Sequence, residues 1–213
     1  MPTIEINKKE FLSVLGKRLS DEDIESKISM MGVSVEEVKE KEIIVEVFAN
    51  RPDLLNLYGL ARAVSSFLGI SQGLKEYPVH DAKYVVTSEK ITNDWPYAVC
   101  AVVKGLNLND EKVKEIIQLQ EKLGGTFLRK RKKGGLGLYP LEKIKFPVRF
   151  TSELPKNIKF RPLEGGETLS AQEILKQHPK GKAYKHIVEN WKKYPLFIDA
   201  NNNILSMPPI INA

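Results

Sequence analysis

Five consecutive cations, Arg129-Lys130-Arg131-Lys132-Lys133, make the densest charge run in the sequence, directly ahead of Gly134 and Gly135. Such a run suits phosphate groups, because the charges displace counterions and backbone without side chains approaches closely. The other reading is a solvated helix end, where basic side chains complement the helix dipole. Asn50-Arg51-Pro52-Asp53 also has two readings. It starts a helix, with proline restricting the backbone and Asp53 as the cap, or it lets Arg51 reach a partner's carboxylate or a phosphate. Near the other end, Ser206-Met207-Pro208-Pro209-Ile210-Ile211-Asn212 sets two prolines between polar residues. Two missing N–H donors and two fixed φ angles exclude an ordinary central strand. An edge strand leaving a sheet and a rigid pocket wall fit the run equally well.

Little else has the spacing of a reactive centre. His80, His178 and His186 stand in polar, loop-like or helix-end settings, and none pairs with a Cys, Asp or Glu at ligand spacing. No metal site is expected. Phosphate-loop, dinucleotide and Gly-x-Ser-x-Gly signatures are absent. Ser206 and Thr126 have no general base nearby in sequence, so no catalytic residue is assigned. The single cysteine, Cys100, lies in the apolar run 97–103 and is expected as a buried structural thiol rather than a nucleophile.

The composition can build the elements that must hold these residues. Of 213 residues, 42% are hydrophobic and 28% charged, enough for a real core. No apolar stretch has the length of a membrane span and the first seven residues lack a signal-peptide pattern, so a cytoplasmic protein is the expectation. A formal net charge of +6 permits a polyanionic partner without demanding one.

Periodicity predicts an α+β chain in two parts. The first part, residues 1–70, opens with a short strand at 3–6 and a helix over 8–15 that stops at Gly16. A second helix follows Ser20, with an acidic first turn and Ile24, Ile28 and Met31 on one face. Two strands turn over Glu40-Lys41-Glu42, and a third helix after Asp53 carries Leu54, Leu57, Leu60, Ala61, Val64 and Leu68 as a broad apolar face and closes at Gly69. Residues 71–81, with Gly73 and Pro78, read as a linker. The second part, 82–213, is a larger mixed α+β domain. Strands are expected at 84–87 and 98–103, and a helix from Asn109 to about Leu128 that Gly124-Gly125 interrupts. Ser170-Ala171-Gln172-Glu173 has capping-box spacing for a helix through Gln177. Residues 194–198 and 204–207 flank an Asx-rich turn as a hairpin.

Here the residues resemble a family. The run 206–212 is similar to a signature in the editing module of archaeal and eukaryotic phenylalanyl-tRNA synthetase β subunits. Collinear stretches agree: Asn50-Arg51-Pro52-Asp53-Leu54 with Gly59-Leu60-Ala61-Arg62, Gln118-Leu119-Gln120-Glu121-Lys122-Leu123, Arg129-Lys130-Arg131, Ile174-Leu175 before His178-Pro179-Lys180-Gly181-Lys182, and the 194–205 hairpin. The resemblance covers essentially the whole chain.

It implies a tetramer of two α and two β subunits, in which α activates phenylalanine with ATP and transfers it to tRNA. The β subunit supplies structure, tRNA contacts and a hydrolytic site that removes tyrosine misattached to phenylalanine tRNA. Residues 1–70 would be the small N-terminal domain of β, and 82–213 an editing-type module, expected to be incomplete at its C-terminal end. Ser206, Pro208, Pro209, Asn212 and Tyr139 are the pocket candidates. Arg129, Lys130, Arg131, Lys132 and Lys133 are the tRNA-binding candidates. No cofactor is expected in this chain; ATP and magnesium belong to the intact enzyme by resemblance. Two departures stand out: Tyr139-Pro140 where the family usually has His-Asp, and Gly124 where it usually has His. The alternatives are a non-catalytic RNA-binding or assembly module with the same fold, and a free-standing editing hydrolase.

Overall fold

The computed structural model describes residues 2–48 and 50–213. The chain is α+β and forms two compact units that do not follow chain order: 1–78 with 107–130, and 79–106 with 131–213.

In the first unit, strand β1 (Thr3–Asn7) ends on Asn7, whose side chain accepts from the Glu10 N–H at 2.9 Å and so starts helix α1 (Lys8–Leu15). Gly16, at φ 72, stops it. Ser20 caps α2 (Asp21–Met30) by accepting from the Asp23 N–H at 3.1 Å. Strands β2 (Ser34–Val38) and β3 (Glu42–Glu46) form a hairpin, and the antiparallel sheet has the order β1-β3-β2. The third helix starts later than the sequence predicts. Residues Pro52–Leu54 form a single 3-10 turn, and Asn56, not Asp53, caps α3 (Leu57–Phe67) by accepting from the Gly59 N–H at 2.6 Å. Asp53 is engaged by Arg51 instead, through bonds of 3.0 and 2.8 Å. Ile4, Ile6, Phe11, Ile24, Ile28, Ile43, Val45, Leu57, Leu60 and Val64 are buried together, and each fully buried side chain of this size contributes roughly 1.5–3 kcal/mol.

Helix α4 (Asp110–Gly125) packs in this same unit rather than within the second part, 82–213, where its chain position placed it. Leu119 and Leu123 lie against the core, and Gln118 holds the outer edge of β1. Its amide accepts from the Glu5 N–H and donates to the Glu5 carbonyl, each at 3.1 Å, as a further strand would. Helical geometry continues through Gly124 and ends at Gly125, so the glycine pair terminates the helix rather than interrupting it.

In the second unit a five-stranded sheet has the order β10-β9-β8-β5-β4. Its strands are β4 (Val86–Ser88), β5 (Val148–Glu153), β8 (Tyr194–Ile198), β9 (Ile204–Met207) and β10 (Ile211–Asn212); β4 alone is parallel to its neighbour. A two-stranded ladder joins β6 (Lys159–Phe160) to β7 (Leu169–Ser170). Ser170 and Glu173 make the expected capping box for α5 (Ala171–Gln177). His178 then links α5 to α6 (Pro179–Val188), its Nδ1 accepting from the Lys180 N–H at 3.2 Å. Ile158, Ala171, Ile174, Val188, Leu196, Met207 and Ile210 form this unit's core.

Two expectations fail together. Residues 98–103 form no strand, and Cys100 is exposed rather than buried. β-branched character marks a segment suited to pairing, but pairing needs a neighbour, and these residues have none here.

Candidate functional site

The site assembles where β9 turns into β10. Asn203 and Asn201 donate backbone N–H groups to Asp199 Oδ1 at 2.8 and 2.9 Å, and this Asx turn fixes the approach of β9 beside β8. After Met207 the chain reverses at Pro208-Pro209-Ile210, closed by the Ile210 N–H donating to the Met207 carbonyl at 2.9 Å. The Pro208–Pro209 bond is cis. The reversal returns β10 antiparallel to β9 and sets Asn212 directly opposite Ser206. The prolines thus sit in a turn at the sheet's edge, where their missing N–H groups break no ladder.

Directly opposed residues share a face. Phe150 on β5, Phe197 on β8, Ser206 on β9 and Asn212 on β10 therefore form one row across the sheet. The two phenylalanine rings meet at 4.8 Å between centroids. At the row's end, Tyr139 Oη donates to Asn212 Oδ1 at 2.6 Å, and Ser206 Oγ donates to the same oxygen at 3.0 Å. Burial pushes the Tyr139 phenol above its ordinary pKa, while the neighbouring Ser206 hydroxyl pulls it the other way. The phenol is thus a neutral hydrogen-bond donor at pH 7. Three of the five pocket candidates meet in this one network, and Pro208 and Pro209 form the turn that creates it.

Arg131 occupies a different place from its neighbours in the basic run. Its Nη1 donates to the carbonyls of Pro209 and Ile210 at 3.3 and 3.0 Å, and its guanidinium lies 4.2 Å from the Tyr184 ring centroid. It ties the proline turn to α6. Arg129, Lys130, Lys132 and Lys133 are exposed. Arg129, Lys130 and Arg131 all have positive φ, at 51, 52 and 66°, a left-handed stretch that costs roughly 1–2 kcal/mol per non-glycine residue. The basic run is therefore a strained turn after α4 rather than an extension of that helix.

Sequence reasoning missed Ser152. It projects on the same face as Phe150, is fully buried, and its Oγ has no hydrogen-bond partner among the described residues. Ser152 lies in a strand that the surrounding lysines and prolines hide in the sequence, so only the fold reveals it. An open cleft of about 510 Å³ beside β10 is lined by residues 161–166 and Ala213, and none of the five pocket candidates lines it. No helix among the described residues is long and apolar enough to cross a membrane.

Residues 1–70 match the family model for the Phe-tRNA synthetase beta subunit B1 domain. Over its full length the chain is 38% identical to a phenylalanine–tRNA ligase beta subunit from Archaeoglobus fulgidus and 39% identical to one from Methanocaldococcus jannaschii. In both comparisons it spans 39% of the relative's length. It also superposes on the crystal structure of an N-terminal fragment of the phenylalanyl-tRNA synthetase beta subunit from Pyrococcus horikoshii, with a TM-score of 0.93 and 35% identity. That match covers all of this chain and 62% of the fragment.

Proposed function

We propose that this polypeptide is the N-terminal part of a cytoplasmic phenylalanine–tRNA ligase beta subunit, and that its second unit handles the aminoacyl end of tRNA during removal of misattached tyrosine. The observation that carries the reading is the convergence of Tyr139 and Ser206 on Asn212 beside the Phe150–Phe197 pair. Aromatic faces with adjacent hydroxyl and amide groups suit a phenol. Tyr139 and Ser206 already share Asn212 Oδ1, so a tyrosine phenol would bind by exchanging hydrogen bonds with this network, for which phenylalanine carries no group. In the hydrolysis, water attacks the ester carbonyl carbon, the acyl–oxygen bond breaks, and tyrosine and the tRNA hydroxyl separate. The exposed Arg129, Lys130, Lys132 and Lys133 would meet the tRNA phosphates. An alpha subunit would be the partner in a tetramer of two alpha and two beta chains. ATP and magnesium would serve synthesis outside these residues. Among the described residues no three His, Cys, Asp or Glu side chains converge.

One observation favours a second reading, a non-catalytic RNA-binding or assembly module. The Tyr139–Ser206–Asn212 network contains no carboxylate or imidazole, and its phenol stays protonated at neutral pH. Incubating the chain with tyrosyl-tRNA specific for phenylalanine separates the two. Ester loss above background, reduced by Asn212→Ala, supports editing. Binding without ester loss assigns the chain to the second reading, and neither binding nor hydrolysis overturns both.

A further inference from the structure

The positive charge of the chain belongs to one of its two units. Residues 1–78 with 107–130 carry 15 Lys and Arg against 17 Asp and Glu, even with Arg129 and Lys130 counted. Residues 79–106 with 131–213 carry 18 against 10. A third of those 18 cations fall between 176 and 193, where six lysines face a single acidic residue, Glu189.

Helix α6 sets part of this charge on one face. Gly181 and Val188 are buried and Tyr184 and Ile187 half-buried against the unit's core, so at 3.6 residues per turn Lys182, Lys185 and His186 point outward. Lys176, Lys182, Lys185 and Lys192 are exposed, and among the described residues none of them makes an ion pair. The helix that carries them is held rigidly, because Gly181 brings α6 so close to α5 that an added Cβ would lie 1.9 Å from the Ile174 carbonyl oxygen. Gathered like charges repel one another, and a polyanion relieves that repulsion.

The residue types select the anion. A helix that lies on a membrane turns large apolar side chains toward the lipid. In α6 the large apolar side chains face the core, and Ala183 alone stands between the outward cations. Protein interfaces deplete lysine at their centres and favour arginine and aromatic residues. Lysine binds phosphate as a point charge, and a row of such charges along a convex helix suits a chain of phosphates better than a single one. The position fits as well. The Arg131 guanidinium stacks on Tyr184 and bonds the Pro209 and Ile210 carbonyls, so α6 lies beside the turn that sets Ser206 opposite Asn212. Chemistry at the end of a strand needs that end unpaired, so the backbone crossing α6 toward the turn is single-stranded.

We propose that the outer face of α6, centred on Lys182 and Lys185, binds the phosphate backbone of single-stranded RNA and holds the strand that leads to the Ser206 site. This rests on the reading of that site as acting at the aminoacyl end of tRNA, and it adds the surface that delivers the end.

Binding of a short fluorescent oligoadenylate, titrated with salt, tests the face without any ester. Lys182→Gln with Lys185→Gln should lower the slope of log K against log salt by about 1.4, about 0.7 for each single-strand phosphate no longer neutralised. Lys17→Gln with Arg18→Gln removes the same charge from exposed positions of the other unit and should leave the slope unchanged. All four side chains are exposed, so both double variants should melt like the parent chain. An equal fall in both doubles overturns the proposal, because net charge rather than this face then governs binding. An unchanged slope in the α6 double overturns it too, as does binding to phosphatidylserine vesicles that exceeds binding to the oligoadenylate and is lost in that double. Iron–EDTA tethered at Ala183→Cys, in a Cys100→Ser background, should cleave a phenylalanine tRNA within its unpaired 3′ nucleotides. Cuts confined to the paired arms overturn the single-stranded assignment. A chain that shows the α6 effect without tyrosyl-ester loss keeps this proposal and refutes the editing reading, whereas ester loss with no α6 effect refutes the face alone.

Discussion

Two tyrosines show how similar side chains acquire different duties from their surroundings. Tyr139 is a neutral donor to Asn212, so Tyr139→Phe should cost about 1 kcal/mol in urea unfolding, the usual net worth of one hydrogen bond. Tyr58 donates to Glu10 at 2.8 Å, and burial followed by that bond and the Glu10 charge pushes its pKa up to about 12. The unfolded chain would release this proton near the ordinary value of 10.0. A folded pKa raised above the unfolded one gives stability that is fully present below pH 10 and lost as pH rises toward 12. Subtracting the pH–stability curve of Tyr58→Phe from that of the unaltered chain should isolate this loss in that window. A flat difference there would show that the phenol is not held as described.

At the scale of elements, the decisive contacts are those that chain order conceals. Helix α4 follows the predicted linker yet closes the edge of β1 through Gln118. Gln118→Leu should cost roughly 1–3 kcal/mol by removing both bonds to Glu5 and accelerate exchange of the Glu5 amide. Glu115 on the same helix has its pKa raised, chiefly by burial and further by Glu10, against a bond from the Leu57 backbone. Its raised folded pKa means that it favours the fold below the ordinary carboxylate value and loses that contribution as pH climbs through the raised value. Glu115→Gln is therefore expected to raise the melting temperature at pH 7 and to have little effect near pH 4. At Gly181 on α6 the constraint is steric. An added Cβ would lie 1.9 Å from the Ile174 carbonyl oxygen, so Gly181→Ala must push α6 off α5, at a cost of about 1–3 kcal/mol or more by calorimetry. The capping box of α5 and the 194–207 hairpin were legible because both are local, written in residues three or four apart. Strand β5 was hidden among lysines and prolines. The α6 start at Pro179 was hidden because proline there reads as a break until His178 is seen capping it.

For the whole molecule, the question is what the excess positive charge does. The sequence located the basic run and the 206–212 segment, and by resemblance it listed together Ser206, Asn212 and Tyr139, three side chains that the fold joins in one hydrogen-bonded network. It could not separate Arg131 from its four neighbours, because what distinguishes Arg131 is a pair of carbonyls 78 and 79 residues away. That distinction now shapes the experiment. Each phosphate neutralised in a complex with single-stranded or duplex nucleic acid contributes about 0.7–0.9 to the slope of log K against log salt. Replacing the exposed Arg129, Lys130, Lys132 and Lys133 with glutamine should therefore reduce the slope for tRNA binding by about three while leaving unfolding unchanged. Arg131→Gln should do the opposite: the slope stays nearly constant, and exchange at the Ile210 amide accelerates as the proline turn loosens. An unchanged slope in the fourfold variant would return those cations to the role of a solvated turn, and would move the search for the tRNA contact to other surfaces of the chain.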